Sequence, residues 1–135
     1  MPHRIQHIDK IAREKNRDVL FIGFISLNNT ETPVYRRADD DDPHIQWLEA
    51  NQIPYAPCGL VADEWAVSEY EGHLYLDVPM DEANPTFQKL LAHFENDEGQ
   101  PADPNCVLYY YALKDAMKNA HHDEPGFWED WAAHL

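Results

Sequence analysis

The chain has few of the residues that build common catalytic and stabilising motifs. Only two of its 135 residues are cysteine, Cys58 and Cys106, 48 positions apart, which excludes a disulfide-rich scaffold and a paired-cysteine zinc site. Its five glycines are scattered, so the sequence contains no phosphate-binding loop. Ser26 and Ser68 are its only serines, and neither has the glycine spacing of a hydrolase nucleophile.

Long apolar segments are also missing from the sequence. The longest run, residues 19–25, is too short to cross a bilayer, and residues 1–17 contain no apolar core of a signal peptide. We therefore expect a soluble cytoplasmic protein. Two reduced, structural thiols agree with that compartment.

Basic residues are scarce after residue 37. Residues 38–135 carry 21 Asp and Glu against three Lys and Arg, a net charge of −18, whereas residues 1–37 have a net charge of +3. Such a body repels phosphate backbones and anionic membranes, so we expect neither direct nucleic-acid binding nor membrane binding. The asymmetry indicates instead a partner with a basic surface.

The apolar content is sufficient for one folded domain. Apolar residues make up 44% of the chain and aromatic residues 12%, which excludes a disordered acidic tail. A length of 135 residues fits one core. We predict a single domain over residues 1–135, with a helical arm at about residues 1–17 and a last helix at about residues 127–135.

The pattern of apolar residues predicts five strands. Residues 19–27 are almost continuously apolar, which is typical of a central strand covered on both faces. Residues 34–37 follow Pro33 and are typical of a short edge strand. Two alternating segments flank Glu71 and Gly72, as in a hairpin with a two-residue turn. The predicted strands are residues 19–27, 34–37, 65–70, 73–78 and 106–111.

Caps and helical spacing predict five helices. Asp42 and Asn84 each precede a proline and mark a helix N-terminus. The first helix is predicted to expose Lys10 and Arg13 to solvent, and the fourth to bury Met117 on its inner face. The predicted helices are residues 3–16, 43–51, 85–94, 112–121 and 127–135.

The order of the predicted elements indicates an α+β fold. Without the two ends of the chain and the short edge strand at residues 34–37, the order is strand, helix, strand, strand, helix, strand. That is the order of a ferredoxin-like sandwich, in which both helices cover one face of an antiparallel sheet. A different α+β meander, in which residues 34–37 form a true strand, is the alternative. Fold alone assigns no function.

No stretch of the sequence has the spacing of a metal site. A calcium loop begun at Asp39 would place Pro43 and Ala50 at ligand positions and would lack the central glycine. His3 and His7 are four residues apart, but Arg4 replaces the glutamate of the metalloprotease motif. We therefore predict no metal and no cofactor, and we interpret the aspartate run as a helix cap in a solvated loop.

The candidate partner-binding residues are loop carboxylates and the aromatic face of the last helix. That helix could dock in a partner's groove or pack on its own domain. The carboxylates must cluster to attract a partner strongly, because averaged over the surface their charge is roughly four to five times more dilute than on a DNA duplex. The candidates are Asp39, Asp40, Asp41, Asp42, Asp63, Glu64, Glu69, Glu71, Asp81, Glu82, Phe127, Trp128 and Trp131, with Asp97 and Glu98 as further loop carboxylates.

Two functions follow from these features. The first is a small non-enzymatic interaction module that binds a basic protein partner, for example as an inhibitor or an immunity-type protein. The same charge would also suit a protein that needs it only for solubility, or one that imitates a nucleic acid. The alternative function is a small hydrolase or ligand-binding protein with a pocket between helix and sheet. Its candidate residues are His73, Tyr75, His93 and Cys58, the last in a predicted turn.

Overall fold

The computed structural model describes residues 6–26, 34–60 and 71–133. These residues form six strands, five α-helices and one 3-10 helix. In chain order the elements are β1 (Gln6–His7), α1 (Ile8–Lys15), β2 (Val19–Ser26), β3 (Val34–Arg36), α2 (Pro43–Ala50), β4 (Tyr55–Gly59), β5 (Leu74–Leu76), α3 (Pro85–Phe94), β6 (Cys106–Tyr111), α4 (Leu113–Ala116), the 3-10 helix (Met117–Asp123) and α5 (Phe127–Ala133).

Strand β2 is the centre of a largely antiparallel sheet. Along one edge it pairs with β6 over residues 19–24. Along its other edge it pairs with β5 over residues 20–22 and with β3 over residues 24–26, so β3 and β5 lie end to end. Strand β4 pairs with β5 in antiparallel orientation, and β1 adds to β4 in parallel orientation.

Helices cover both faces of this sheet. One face of β2 packs with α2 and α3 in a core that contains Leu20, Ile22, Phe24, Ile45, Leu48, Leu74, Leu76, Val78, Phe87, Leu90 and Phe94. The other face packs with α1 and α4 in a core that contains Ile8, Ile11, Ala12, Val19, Phe21, Cys58, Tyr75 and Ala116. The predicted burial of β2 on both faces is therefore confirmed.

The predicted α+β class is confirmed, but the ferredoxin-like arrangement is not. The sheet curls into a half-barrel, and α1 and α4 cover a second face for which the prediction assigned no helices. Val34–Arg36 is a true strand paired with β2, as the alternative meander required.

Both helices that start with a proline begin where predicted. The Asp42 carboxylate accepts a hydrogen bond from the backbone N–H of His44 at the start of α2. The Asn84 side chain accepts from the N–H groups of Thr86 and Phe87 at the start of α3. By contrast, α1 begins at Ile8, because the two residues before it pair with β4 as β1.

The predicted hairpin is described only in its second arm, since residues 61–70 lie outside the described residues. In that arm Leu74, Leu76 and Val78 face the core of α2 and α3, while Tyr75 faces the other core. This alternation was predicted. Strand β4, the outer partner of β5, was not predicted, and its Pro57 is a residue that argues against a strand.

The segment after β6 differs from the predicted fourth helix. Helix α4 ends at Ala116 and continues as a 3-10 helix with a kink at Asn119. The tighter winding changes which side chains share a face. Met117 is 52% exposed, so its predicted inward position is wrong. Among the described helices, none combines the length and the apolar character that a membrane crossing requires.

Candidate functional site

Arg13 is buried in an ion-pair network, which corrects its predicted place in solvent. Its side chain is 5% exposed and that of Asp9 is fully buried. Arg13 donates to Asp9 at 3.0 Å, to Asp123 at 2.7 and 3.0 Å and to the backbone oxygen of Ala116 at 3.0 Å. Asn119 also donates to Asp9. The network therefore joins α1 to α4 and the 3-10 helix.

The ion pairs of this network favour the charged forms of Arg13 and Asp123. Burial by itself lowers the pKa of Arg13, but the bonds to Asp123 and Asp9 outweigh that effect and raise it. The bond from Arg13 lowers the pKa of Asp123. The carboxylates here are thus neutralised within the molecule and contribute little to an acidic surface.

A second group of charges is neutralised beside the start of β2. Asp77 accepts from Arg17 at 2.7 Å, from Tyr75 at 2.9 Å and from Lys15 at 3.5 Å. Burial tends to raise the pKa of Asp77, but these partners together lower it. Arg13, Lys15 and Arg17 therefore all pair with carboxylates of their own chain.

Two loops that carry carboxylates adjoin at the other end of the sheet, where His44 contacts both His93 and Asp103. Asp39, Asp40 and Asp41 are exposed in the loop before α2, and Asp97 and Glu98 are exposed in the loop after α3. We call this region the acidic end. It comprises Asp39, Asp40, Asp41, Asp42, Asp97, Glu98 and Asp103.

A chain of hydrogen bonds holds the two loops of the acidic end together. Nδ1 of His44, in α2, lies 3.0 Å from Nε2 of His93, in α3. Nε2 of His44 lies 2.8 Å from the carboxylate of Asp103. The ring of Trp47 stacks on His93, with centroids 3.8 Å apart. The start of α2, the end of α3 and the loop before β6 are therefore fixed against one another.

The hydrogen bonds also fix where the protons of this chain lie. Donation from His44 lowers the pKa of Asp103, so the carboxylate only accepts. Nε2 of His44 therefore carries a proton, and one further proton lies between Nδ1 of His44 and Nε2 of His93. Burial lowers the pKa of His93, and the neighbouring His44 lowers it further. Both effects favour the neutral form of the His93 ring.

Few cations oppose the carboxylates of the acidic end. Arg36 lies 3.6 Å from Asp42 and also lowers the pKa of Asp103, although less than His44 does. Within residues 6–26, 34–60 and 71–133 no salt bridge involves Asp39, Asp40, Asp41, Asp97 or Glu98. This end therefore remains strongly negative.

Other predicted carboxylates do not belong to the acidic end. Asp81 and Glu82 are exposed before α3, so about 15 Å of helix separates them from Asp97 and Glu98. Glu71 is exposed at the start of β5, beside Gly72. Asp63, Glu64 and Glu69 lie outside the described residues.

The aromatic residues of α5 contact one another and the preceding 3-10 helix. Phe127 and Trp128 lie against the ring of His122, with centroids 5.0 and 4.7 Å away. Trp131 meets Trp128 edge-on at 5.5 Å. His122 is buried, whereas Phe127, Trp128 and Trp131 are half-buried. Part of this aromatic face is thus covered by the chain itself.

The residues of the alternative, hydrolase-like function lie in two places. Cys58, His73 and Tyr75 are buried neighbours on β4 and at the start of β5. His93 lies on α3, which packs on the opposite face of the sheet. Cys58 is in a strand and not in the predicted turn. The four side chains therefore do not line one pocket.

His73 is buried without a hydrogen-bond partner for either ring nitrogen in the part of the chain that the structure describes. Its ring lies 4.5 Å from that of Tyr35 and 5.8 Å from that of Phe21. Burial lowers its pKa, so the ring is neutral and serves as an aromatic core residue.

Both thiols are expected to be unreactive in the folded chain. Burial raises the pKa of Cys58 and of Cys106 from 9.0 to about 12, and only the thiolate reacts. A chromogenic disulfide reagent at pH 8 should therefore modify them only after urea unfolds the protein. Rapid modification of both thiols in the native protein would contradict their burial.

The same shift predicts a pH dependence of stability. Above the ordinary thiol pKa the unfolded chain loses protons that the folded chain keeps, so the free energy of unfolding falls between about pH 9 and 12. Urea unfolding at pH 7, 9 and 10 measures this fall. An unchanged midpoint over that range would argue against the raised values.

Sequence reasoning did not find the His44, His93 and Asp103 chain. His44 and His93 are 49 residues apart, and His44 and Asp103 are 59 apart, so no local spacing connects them. Over the described ranges, no group of three or more His, Cys, Asp or Glu side chains is placed to hold a metal ion.

Comparison with known proteins gives no match. No family model, no curated protein and no solved structure is significantly similar to this chain. Any function is therefore argued from the chain's own residues and their geometry.

Proposed function

We propose that this chain is a small non-enzymatic interaction module that binds a basic protein partner through its acidic end, as an inhibitor or an immunity-type protein does. The single observation that supports the proposal is the gathering of carboxylates from two loops at one end of the sheet. Within the described part of the chain, only two of the seven carboxylates of the acidic end take part in a salt bridge or a hydrogen-bonded pair with a basic side chain, Asp42 with Arg36 and Asp103 with His44. Carboxylates elsewhere, such as Asp9 and Asp77, are paired within the chain.

The scaffold of the acidic end adds support. Asp42 caps α2, and the hydrogen bonds of His44 to His93 and Asp103 join the two loops. A surface whose backbone is held before binding loses less entropy when a partner arrives. The charges are therefore presented on a prepared surface and not on a segment that must first be ordered.

Electrostatic attraction of this kind acts mainly on the rate of association. Opposite potentials steer the two proteins together, and salt screens the attraction beyond a Debye length of about 10 Å at 0.1 M. Binding should therefore weaken at least about tenfold between low and high salt. A smaller loss of affinity would indicate an interface to which electrostatic attraction does not steer the partner.

The proposal is tested with charge-neutralising variants. The partner is first captured from the native lysate, identified by mass spectrometry and purified. The triple variant Asp39→Asn, Asp40→Asn, Asp41→Asn should then associate at least about tenfold more slowly at low salt. Asp42 stays unchanged because it caps α2.

The matched control removes charge from the opposite end of α3. The double variant Asp81→Asn, Glu82→Gln should change the association rate less than about twofold, because these exposed residues lie about 15 Å of helix away. Equal slowing by the two sets of substitutions would reject the acidic end as the docking surface. Net charge alone would then account for the binding.

A further inference from the structure

The contact between His44 and His93 has the composition of a two-ligand metal site. Nδ1 of His44 and Nε2 of His93 face each other 3.0 Å apart and share one proton. A neutral imidazole nitrogen is the commonest protein ligand of zinc-like and copper-like ions. The two rings therefore bring suitable donor atoms together before any cation arrives.

The separation of the nitrogens is close to that of two ligands on one ion. With zinc-nitrogen distances of about 2.0–2.1 Å and tetrahedral angles, two ligand nitrogens lie about 3.3 Å apart. The observed 3.0 Å must widen by about 0.3 Å, and both side chains must turn so that their lone pairs meet at one point.

We propose that His44 and His93 bind a divalent transition cation that prefers imidazole ligands, for which Zn²⁺ is the representative. His44 contributes Nδ1 and His93 contributes Nε2. The cation takes the place of the proton on His93 Nε2. That proton moves through solvent to Nδ1 of the same ring, so His93 remains a neutral imidazole, no net proton is released and no other covalent bond changes. Water completes the coordination shell, so the site stays open to a further ligand.

Asp103 supplies the outer contact that metal-binding histidines commonly have. Its carboxylate accepts from Nε2–H of His44 at 2.8 Å, which orients the ring and, in a neutral imidazole, leaves Nδ1 as the nitrogen that can bind a cation. On the other ligand, the stacked ring of Trp47 limits the orientation of His93. Both donor side chains are thus held from outside the site.

The surrounding charge favours a cation. The N-terminus of α2 carries a partial positive charge that would repel it, but Asp42 caps that terminus. Asp39, Asp40 and Asp41 precede the cap in the same acidic loop. Arg36, at the end of β3, is already directed at Asp42. Carboxylates therefore raise the local concentration of divalent cations.

The test is a titration of the full-length, untagged chain with Zn²⁺ alone. Calorimetry measures the affinity, and NMR of the histidine rings locates the ion. We expect Zn²⁺ to shift the ring resonances of His44 and His93. His44→Gln and His93→Gln should each weaken this site at least about tenfold, and Asp103→Asn about 10–100-fold.

The exposed His121 supplies the matched control. His121→Gln should leave the affinity unchanged within about twofold, because this residue belongs to the 3-10 helix and not to the proposed site. The NMR shifts of the wild-type protein need no variant, so a folding defect in a variant leaves the test intact. The proposal is overturned if the wild type does not bind Zn²⁺. It is equally overturned if Zn²⁺ shifts only other histidines, or if His93→Gln binds as tightly as the wild type.

Discussion

Arg13→Ala is expected to lower the free energy of unfolding by about 3–5 kcal/mol, the usual cost of removing one partner of a buried ion pair. The substitution leaves the fully buried Asp9 without its cation. It also removes the donors that Asp123 and the backbone oxygen of Ala116 use. Urea unfolding followed by circular dichroism measures the loss.

Lys10→Ala is the matched control for this prediction. Lys10 lies on the same helix but is exposed, so its removal should change stability by less than about 0.5 kcal/mol. A loss below about 1 kcal/mol for Arg13→Ala would mean that the network contributes no net stability. Apolar packing and the remaining hydrogen bonds would then account for how the N-terminal and C-terminal segments are held together.

Gly72→Ala is expected to lower the free energy of unfolding by about 2–5 kcal/mol, because two effects add. Gly72 has a φ of +98°, which an alanine adopts only with strain. A Cβ at this position would also lie 2.2 Å from the backbone oxygen of Arg36. The substitution therefore forces the start of β5 away from the end of β3, and thermal or urea unfolding measures the cost.

Gly126→Ala separates the two effects. Gly126 also has a positive φ, +85°, but nothing lies within 4 Å of an added Cβ. We expect Gly126→Ala to lower the free energy of unfolding by only about 1–2 kcal/mol. Since the acidic loop leaves the sheet directly after Arg36, Gly72→Ala should also weaken partner binding. Equal losses of stability in the two variants would show that the close packing of β3 and β5 does not matter.

Features set by neighbours in sequence were predictable. The N-termini of α2 and α3 follow from an Asp or Asn cap before a proline, a signal complete within three residues. The alternation of Leu74 and Leu76 with Tyr75 correctly assigned their faces, because a strand turns successive side chains to opposite sides.

Features set by distant residues were not predictable. Arg13 looks like an exposed residue of an amphipathic helix until Asp123 meets it from 110 positions away. His44, His93 and Asp103 come from three elements. Strand β4 was missed because Pro57 has no N–H to donate. In each case tertiary contacts override the local preference.

The sheet shows where the sequence contained more information than the prediction used. Residues 19–25 are apolar on both faces of β2, which requires a cover on each side. The ferredoxin-like prediction assigned helices to one face and treated the ends of the chain as additions. In the structure α1 and α4, from those ends, cover the second face.

The most direct test of the central claim is an NMR titration of the chain with an oligolysine peptide at low and at high salt. If negative potential is gathered at the acidic end, the largest amide shifts should fall on residues 39–42, 97, 98 and 103 and should shrink as salt rises. Shifts spread evenly over the surface, or centred on Asp81 and Glu82, would contradict the account.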